Sequence, residues 1–106
     1  MCVKNHTITN PYGVIKIQDD KIVKFEEKPQ YNSLINAGIY FLNPEILDII
    51  PKNRYYDMPE LFSFLMKDQR NIVAYELKSY WIDIGHASDY ERANADMLAG
   101  TVNQTV

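Results

Sequence analysis

Two apolar-rich runs, Gly13–Gln18 and Lys21–Glu27, are separated by only two residues, Asp19-Asp20. A chain that reverses within two residues pairs antiparallel, so the spacing predicts a β-hairpin, although neither turn residue is the glycine that tight turns favour. Asn10-Pro11-Tyr12-Gly13 is a turn signal ahead of the hairpin, and residues 1–6 read as a short strand before it. Pro29 stops the second hairpin strand, because it has no N–H to give to a ladder. After a polar stretch at 30–33, residues 34–42 are almost continuously apolar and predict a mostly buried strand.

Three helices follow from capping chemistry. Asn43-Pro44-Glu45 places an amide and then a proline before Ile46-Leu47-Asp48-Ile49-Ile50, and Pro51 limits that helix to about two turns. Asp57-Met58-Pro59-Glu60 has capping-box spacing, with Leu61, Phe62, Leu65 and Met66 behind it at helical intervals. Ser88-Asp89-Tyr90-Glu91 predicts a third start, running to about Leu98 and stopped by Gly100. A strand at 71–77 and a short segment at 80–84 lie between the last two helices. The order predicts a mixed α/β unit over residues 1–106, helices packed on a mixed sheet, with 100–106 a frayed tail. The eight tyrosines, lying beside these elements, are expected to be partly buried.

Composition removes several functions. Eleven Lys and Arg against fourteen Asp and Glu give a net charge of −3, which lacks the basic footprint of general nucleic-acid binding. The longest apolar runs, such as 39–42, are about four residues, too short to span a bilayer or to form a secretory signal. A single cysteine, Cys2, forms no internal disulfide, which fits a reducing cytoplasm. Four glycines make no phosphate-cradling loop, and Cys2, His6 and His86 lack zinc-type spacing.

Three segments carry candidate chemistry. In Phe25-Glu26-Glu27-Lys28-Pro29 the proline disfavours the helical basin for Lys28 and predicts it extended. A cation at the carboxyl end of a strand suits a phosphate; one such pair attracts by roughly 4 kcal/mol at ~4 Å and an effective dielectric near 20. The same residues also fit a solvated acid–base run ending an edge strand. Asn36-Ala37-Gly38 puts an amide and a glycine in an apolar strand, as a close-approaching polyhydroxylated ligand would require. Equally, Asn36 could bond nearby backbone and Gly38 sit under Trp81 or another ring. In Trp81-Ile82-Asp83-Ile84-Gly85 a carboxylate stands between apolar neighbours just before a helix start. It is placed either to accept backbone N–H groups or to serve a metal, and one carboxylate alone is not a magnesium site.

The order of these segments resembles the carboxyl-terminal half of the sugar-1-phosphate nucleotidyltransferases. The matching elements are Tyr12-Gly13-Val14, Phe25-Glu26-Glu27-Lys28-Pro29, Ile35-Asn36-Ala37-Gly38-Ile39-Tyr40, Pro44-Glu45 and Trp81-Ile82-Asp83-Ile84-Gly85, then Asp89-Tyr90 and Ala93. They cover about residues 1–97. The stretch 56–62 is similar to the branch that activates mannose, heptose or amino-sugar phosphates, often with GTP. The resemblance implies a partial Rossmann-like fold and an enzyme that joins a sugar 1-phosphate to a nucleoside triphosphate, releasing pyrophosphate with Mg²⁺ present. It implies that Glu27 and Asn36 meet sugar hydroxyls, that Lys28 meets the sugar phosphate, and that Gly13 and Gly38 let the backbone approach the sugar. Lys28 and Asp83 would be catalytic, with Asp83 one of two metal-holding aspartates.

Three departures qualify that picture. The glycine-rich triphosphate signature and the other metal aspartate are absent, and His86 stands where Thr or Arg is usual. The expectation is therefore a chain holding the sugar side of a site without its nucleotide side. Alone it would be inactive, would bind Mg²⁺ weakly, and would self-associate through an exposed sheet edge or apolar surface. A non-catalytic sugar-phosphate-binding module and a purely structural interaction domain are the competing possibilities. All of the catalytic expectation requires Lys28, Asn36 and Asp83 to converge on one cleft.

Overall fold

The computed structural model describes residues 1–103. Two antiparallel ladders dominate it. Strand β1 (Cys2–Thr9) pairs with β4 (Gln30–Asn36), Val3 opposite Asn36 and Thr9 opposite Gln30. Between them in sequence, β2 (Gly13–Gln18) and β3 (Lys21–Glu27) form the expected hairpin. Asp19 and Asp20 take φ of 48° and 60°, the paired positive values of a turn whose twist matches that of the strands. The register shifts between Lys16 and Ile17, which leaves Val23 as the extra residue of a bulge.

A second neighbour makes the sheet mixed. β5 (Tyr75–Glu76) runs parallel to β1, giving the order β4-β1-β5. The strand predicted at 71–77 is thus only two residues long. Its partner explains this: β1 begins at Cys2, so only Cys2 and Val3 face it, with flanking bonds from Tyr75 N–H to the Met1 carbonyl and from Leu77 N–H to that of Val3.

The strand predicted at 34–42 is also corrected. β4 begins earlier, at Gln30, because the length of β1 draws the polar 30–33 stretch into the ladder, and it ends at Asn36. There the Asn36 side chain accepts the Gly38 N–H at 2.8 Å, and Gly38 takes φ +74°; that local turn competes with strand continuation. Of residues 34–42 only Ala37 is buried.

Helix α1 (Met58–Lys67) starts as predicted, the Asp57 carboxylate accepting the Glu60 N–H at 2.8 Å with proline in the first turn. It ends on Gln69 at φ 56°, with Arg70 N–H reaching the Leu65 carbonyl and Gln69 N–H that of Met66. That is a Schellman stop without glycine. Helix α2 (Ala87–Leu98) starts earlier than predicted: its cap is His86, whose N–H donates to Asp89 Oδ2 at 3.1 Å, not Ser88. The first predicted helix is a 3-10 turn at Pro44–Ile49, and Asn43 makes no side-chain cap there. A short 3-10 turn, Thr101–Asn103, follows Gly100; residues 104–106 of the expected frayed tail lie outside the described residues.

The core among the described residues is small: Cys2, Ala37, Leu61, Phe62 and Leu65. In one corner Cys2, at the start of β1, lines a groove with Phe62 and Leu65 of α1, and the Tyr40 ring stands 5.6 Å from that of Phe62. Away from that corner the ladders stand in solvent. Five of the eight tyrosines are exposed, which corrects the expectation of burial; among the described residues no second layer covers Tyr31 on β4 or Tyr12 in the turn before β2. The radius of gyration is 19.7 Å, against about 13 Å for a compact domain of this length. The accessible surface is 8998 Å², against about 6100 Å² from the scaling of compact monomers.

Candidate functional site

The predicted residues fall into two groups at opposite ends of the β1–β4 ribbon. At the hairpin root, Gly13 pairs with Glu27, and the Lys28 N–H donates to the Tyr12 carbonyl at 3.2 Å. A Cβ on Gly13 would lie 2.8 Å from the Phe25 ring and 3.2 Å from Glu27 Oε2, so the glycine makes room for those two side chains. Lys28 is not extended, as the proline after it predicted, but has φ 45°. With the right-handed helical basin closed by Pro29, a positive φ is what turns β3 into β4 within two residues. The ammonium of Lys28 has no ion pair among the described residues; the nearby pair is Lys24 with Glu26, 3.1 Å.

The second group lies at the core end. Asn36 Nδ2 donates to Tyr40 Oη at 2.6 Å while its Oδ1 accepts from Gly38. The amide therefore bonds nearby backbone and Tyr40, one of the two possibilities that the sequence left open. Nothing lies within 4 Å of where a Cβ on Gly38 would stand, so no ring covers it. Trp81 serves differently: its indole N–H donates to the Ala37 carbonyl at 3.1 Å. This ties the Trp81-Ile82-Asp83-Ile84-Gly85 segment to the Asn36–Gly38 turn and brings Asp83 to this end of the molecule, two residues beyond the indole.

Asp83 is exposed and, among the described residues, its carboxylate holds no hydrogen bond or ion pair. The backbone-capping role considered for it belongs to Asp89, which also takes a 3.3 Å contact from Arg92. No group of three metal-ligating side chains exists among the described residues. One exposed carboxylate does not make a magnesium site.

The expected convergence of Lys28, Asn36 and Asp83 is not present. Residues 30–36 are all ladder, and seven strand residues at ~3.3 Å each separate Lys28 from Asn36 by about 20 Å. A groove of about 850 Å³ opens at the core end, lined by side chains such as Ile39, Phe41, Ile46 and Val73. None of the predicted site residues lines it.

Three residues that sequence reasoning passed over shape this end. Lys4 Nζ donates to the Leu77 and Ser79 carbonyls at 3.1 and 2.7 Å. Tyr40 completes the bonding of Asn36. Tyr80 Oη donates to Asp96 Oδ2 at 2.8 Å, and that bond, first among the causes, holds the phenol above the ordinary tyrosine range. Only Tyr40, at four residues from Asn36, carried a sequence signal; a strand lysine and a loop tyrosine look like any surface residue.

Comparison with known proteins bears on these groups. A uridylyltransferase of Synechocystis sp., named for UTP and glucose 1-phosphate, is 35% identical over 98 residues, covering 87% of this chain and 25% of that protein. The mannose-1-phosphate guanyltransferases of Eremothecium gossypii and Saccharomyces cerevisiae are 37% and 34% identical over 97 residues, each covering 86% of this chain and 24% of theirs. The chain thus spans about a quarter of the length of these relatives. The sequence profile described as Nucleotidyl transferase matches residues 1–100, a stretch that holds both ends of the ribbon, and on that match the chain belongs to the nucleotidyl transferase family.

Proposed function

We propose that this chain is the sugar-phosphate side of an enzyme that makes an NDP-sugar, with GTP as the favoured nucleotide. It would form the carboxyl-terminal portion of a Rossmann-like catalytic domain and work in the cytoplasm. The observation that carries this is the family match across 1–100, with relatives named for mannose 1-phosphate and guanylyl transfer. In the reaction a phosphate oxygen of the sugar 1-phosphate attacks the nucleotide's α-phosphorus. The bond from that phosphorus to the bridging oxygen breaks, and pyrophosphate leaves with the electron pair. Glu27 and Asn36 would hold sugar hydroxyls and Lys28 the phosphate, offsetting charge as it develops. Gly13 and Gly38 would admit the sugar to the backbone. Asp83 and the Mg²⁺ it would share belong to the complete enzyme.

A hexose 1-phosphate is much shorter than the ribbon, so Glu27 and Lys28 must travel to Asn36 before one ligand touches both. Glu27 and Lys28 lie at the hairpin root, which a swing of the hairpin leaves in place, so that approach requires the β1–β4 ladder to open from its Thr9–Gln30 end. A non-catalytic binding module is the second reading; in it, as in the enzyme, the Asn36 amide must exchange its bonds to Gly38 and Tyr40 for sugar hydroxyls. The test is calorimetric titration of mannose 1-phosphate and glucose 1-phosphate into the chain, with pyrophosphate release assayed in the presence of GTP. Saturable binding lost in Lys28→Ala and Asn36→Ala, without pyrophosphate from the chain alone, is expected. Turnover by a longer protein containing this chain separates enzyme from module; absence of sugar-phosphate binding by either rejects both.

A further inference from the structure

The β1–β5 ladder ends when the Leu77 N–H reaches the Val3 carbonyl at 2.8 Å. Beyond that point the chain leaves the sheet, and no regular element holds residues 77–84. The Lys4 ammonium continues the connection: it reaches past the end of the ladder to two alternate carbonyls, those of Leu77 and Ser79. Two residues later the Trp81 indole closes on the Ala37 carbonyl, and Ala37 N–H in turn donates to the Cys2 carbonyl at 3.0 Å. β1 thus grips this segment twice, directly through Lys4 and by way of Ala37 through Trp81. A bond from a charged donor is worth roughly twice a neutral one, and the contact is partly shielded from water.

We propose that Lys4 is a positioning residue: it fixes the path of 77–81, and through Trp81 sets the segment that carries Asp83 against the Asn36–Gly38 turn. The part of this that concerns ligand binding rests on the sugar-phosphate function above; the part that concerns the path of the chain does not. The Lys4 Nζ bonds backbone carbonyls of this segment. It acts by removing alternative courses for residues 77–84, which belong to no strand or helix.

Trp81 is the sole tryptophan and gives a readout that needs no activity. In Lys4→Met, Trp81 emission is expected to shift to the red and its acrylamide quenching to rise, while far-UV circular dichroism stays that of the native chain. Lys4→Arg, whose guanidinium serves both carbonyls, is expected to restore native emission. If Lys4→Met does not fold, Lys4→Gln replaces it, being polar but too short to reach both carbonyls. Native emission and quenching in the folded Met or Gln variant overturn the proposal. Titration with mannose 1-phosphate then reads the second part: a dissociation constant raised about tenfold or more in Lys4→Met and recovered in Lys4→Arg supports it. Equal affinity in all three proteins overturns it. Should no protein bind the sugar phosphate, the enzymatic function fails while the emission result still decides the placing role.

Discussion

Gly38 and Gly85 flank the turn and the loop at the core end of the ribbon, and they differ in what an added methyl group would cost. Gly38 has open space around it but a φ of +74°, whereas a Cβ on Gly85 would make ordinary contact 3.5 Å from Asp83 Oδ2. Gly38→Ala should therefore lower stability by about 1–2 kcal/mol in urea unfolding, and Gly85→Ala by less than about 0.5 kcal/mol. Lys28, at φ 45°, offers the converse: Lys28→Gly should raise stability by about 1 kcal/mol over Lys28→Ala, although both lose the ammonium. The Tyr80–Asp96 bond adds a pH signature. Because the folded state raises the phenol's pKa, its contribution is whole below the unfolded tyrosine value near 10 and disappears as pH climbs through the higher folded one. Comparing native protein and Tyr80→Phe by thermal melts should show a stability difference at neutral pH that closes only in strongly alkaline solution.

Elements fixed by local chemistry were legible in the sequence. The two-residue turn between β2 and β3, the Asp57 cap and the Gly100 stop each depend on neighbouring residues alone, and the structure has all three. Elements fixed by a distant partner were not. The 71–77 run has the composition of a strand, but its length is set by how much of β1 lies opposite. Local competition misled as well: Asn36 takes the Gly38 N–H and ends the strand within 34–42, Asn43 caps nothing, and His86 rather than Ser88 starts α2. The limit set by distant partners applies to the candidate site too. Residue types and their order pointed to a phosphorylated sugar, but the ~20 Å between Lys28 and Asn36 depends on β4 pairing along its full length, which no local pattern states. Helix α1 anchors what core there is, and Leu61 within it is fully buried. Leu61→Ala should cost about 2–5 kcal/mol, the range for a leucine cavity, and urea unfolding read by far-UV circular dichroism should show α1 and the β1 corner lost together.

At the scale of the whole molecule the hairpin dominates. Cross-strand partners share a face, so Ile15 and Phe25, with Ile17 and Ile22, form one apolar surface, each residue between 48% and 65% exposed. A two-stranded hairpin is marginal alone in water. We propose that this face associates with another copy, and light scattering should show mass rising with concentration in the native chain and falling back in Ile17→Ser/Phe25→Ser. Monomer at every concentration would reject it. The buried thiol of Cys2 offers a gauge of a different kind. Its N–H and carbonyl are both bonded, to Ile39 and Ala37, and its side chain is closed in at 5% exposure. An alkylating reagent therefore reaches that sulfur only when the corner breathes. Labelling kinetics, set against those of a small model thiol, would weigh the opening of that corner at about 1.4 kcal/mol for every tenfold slowing.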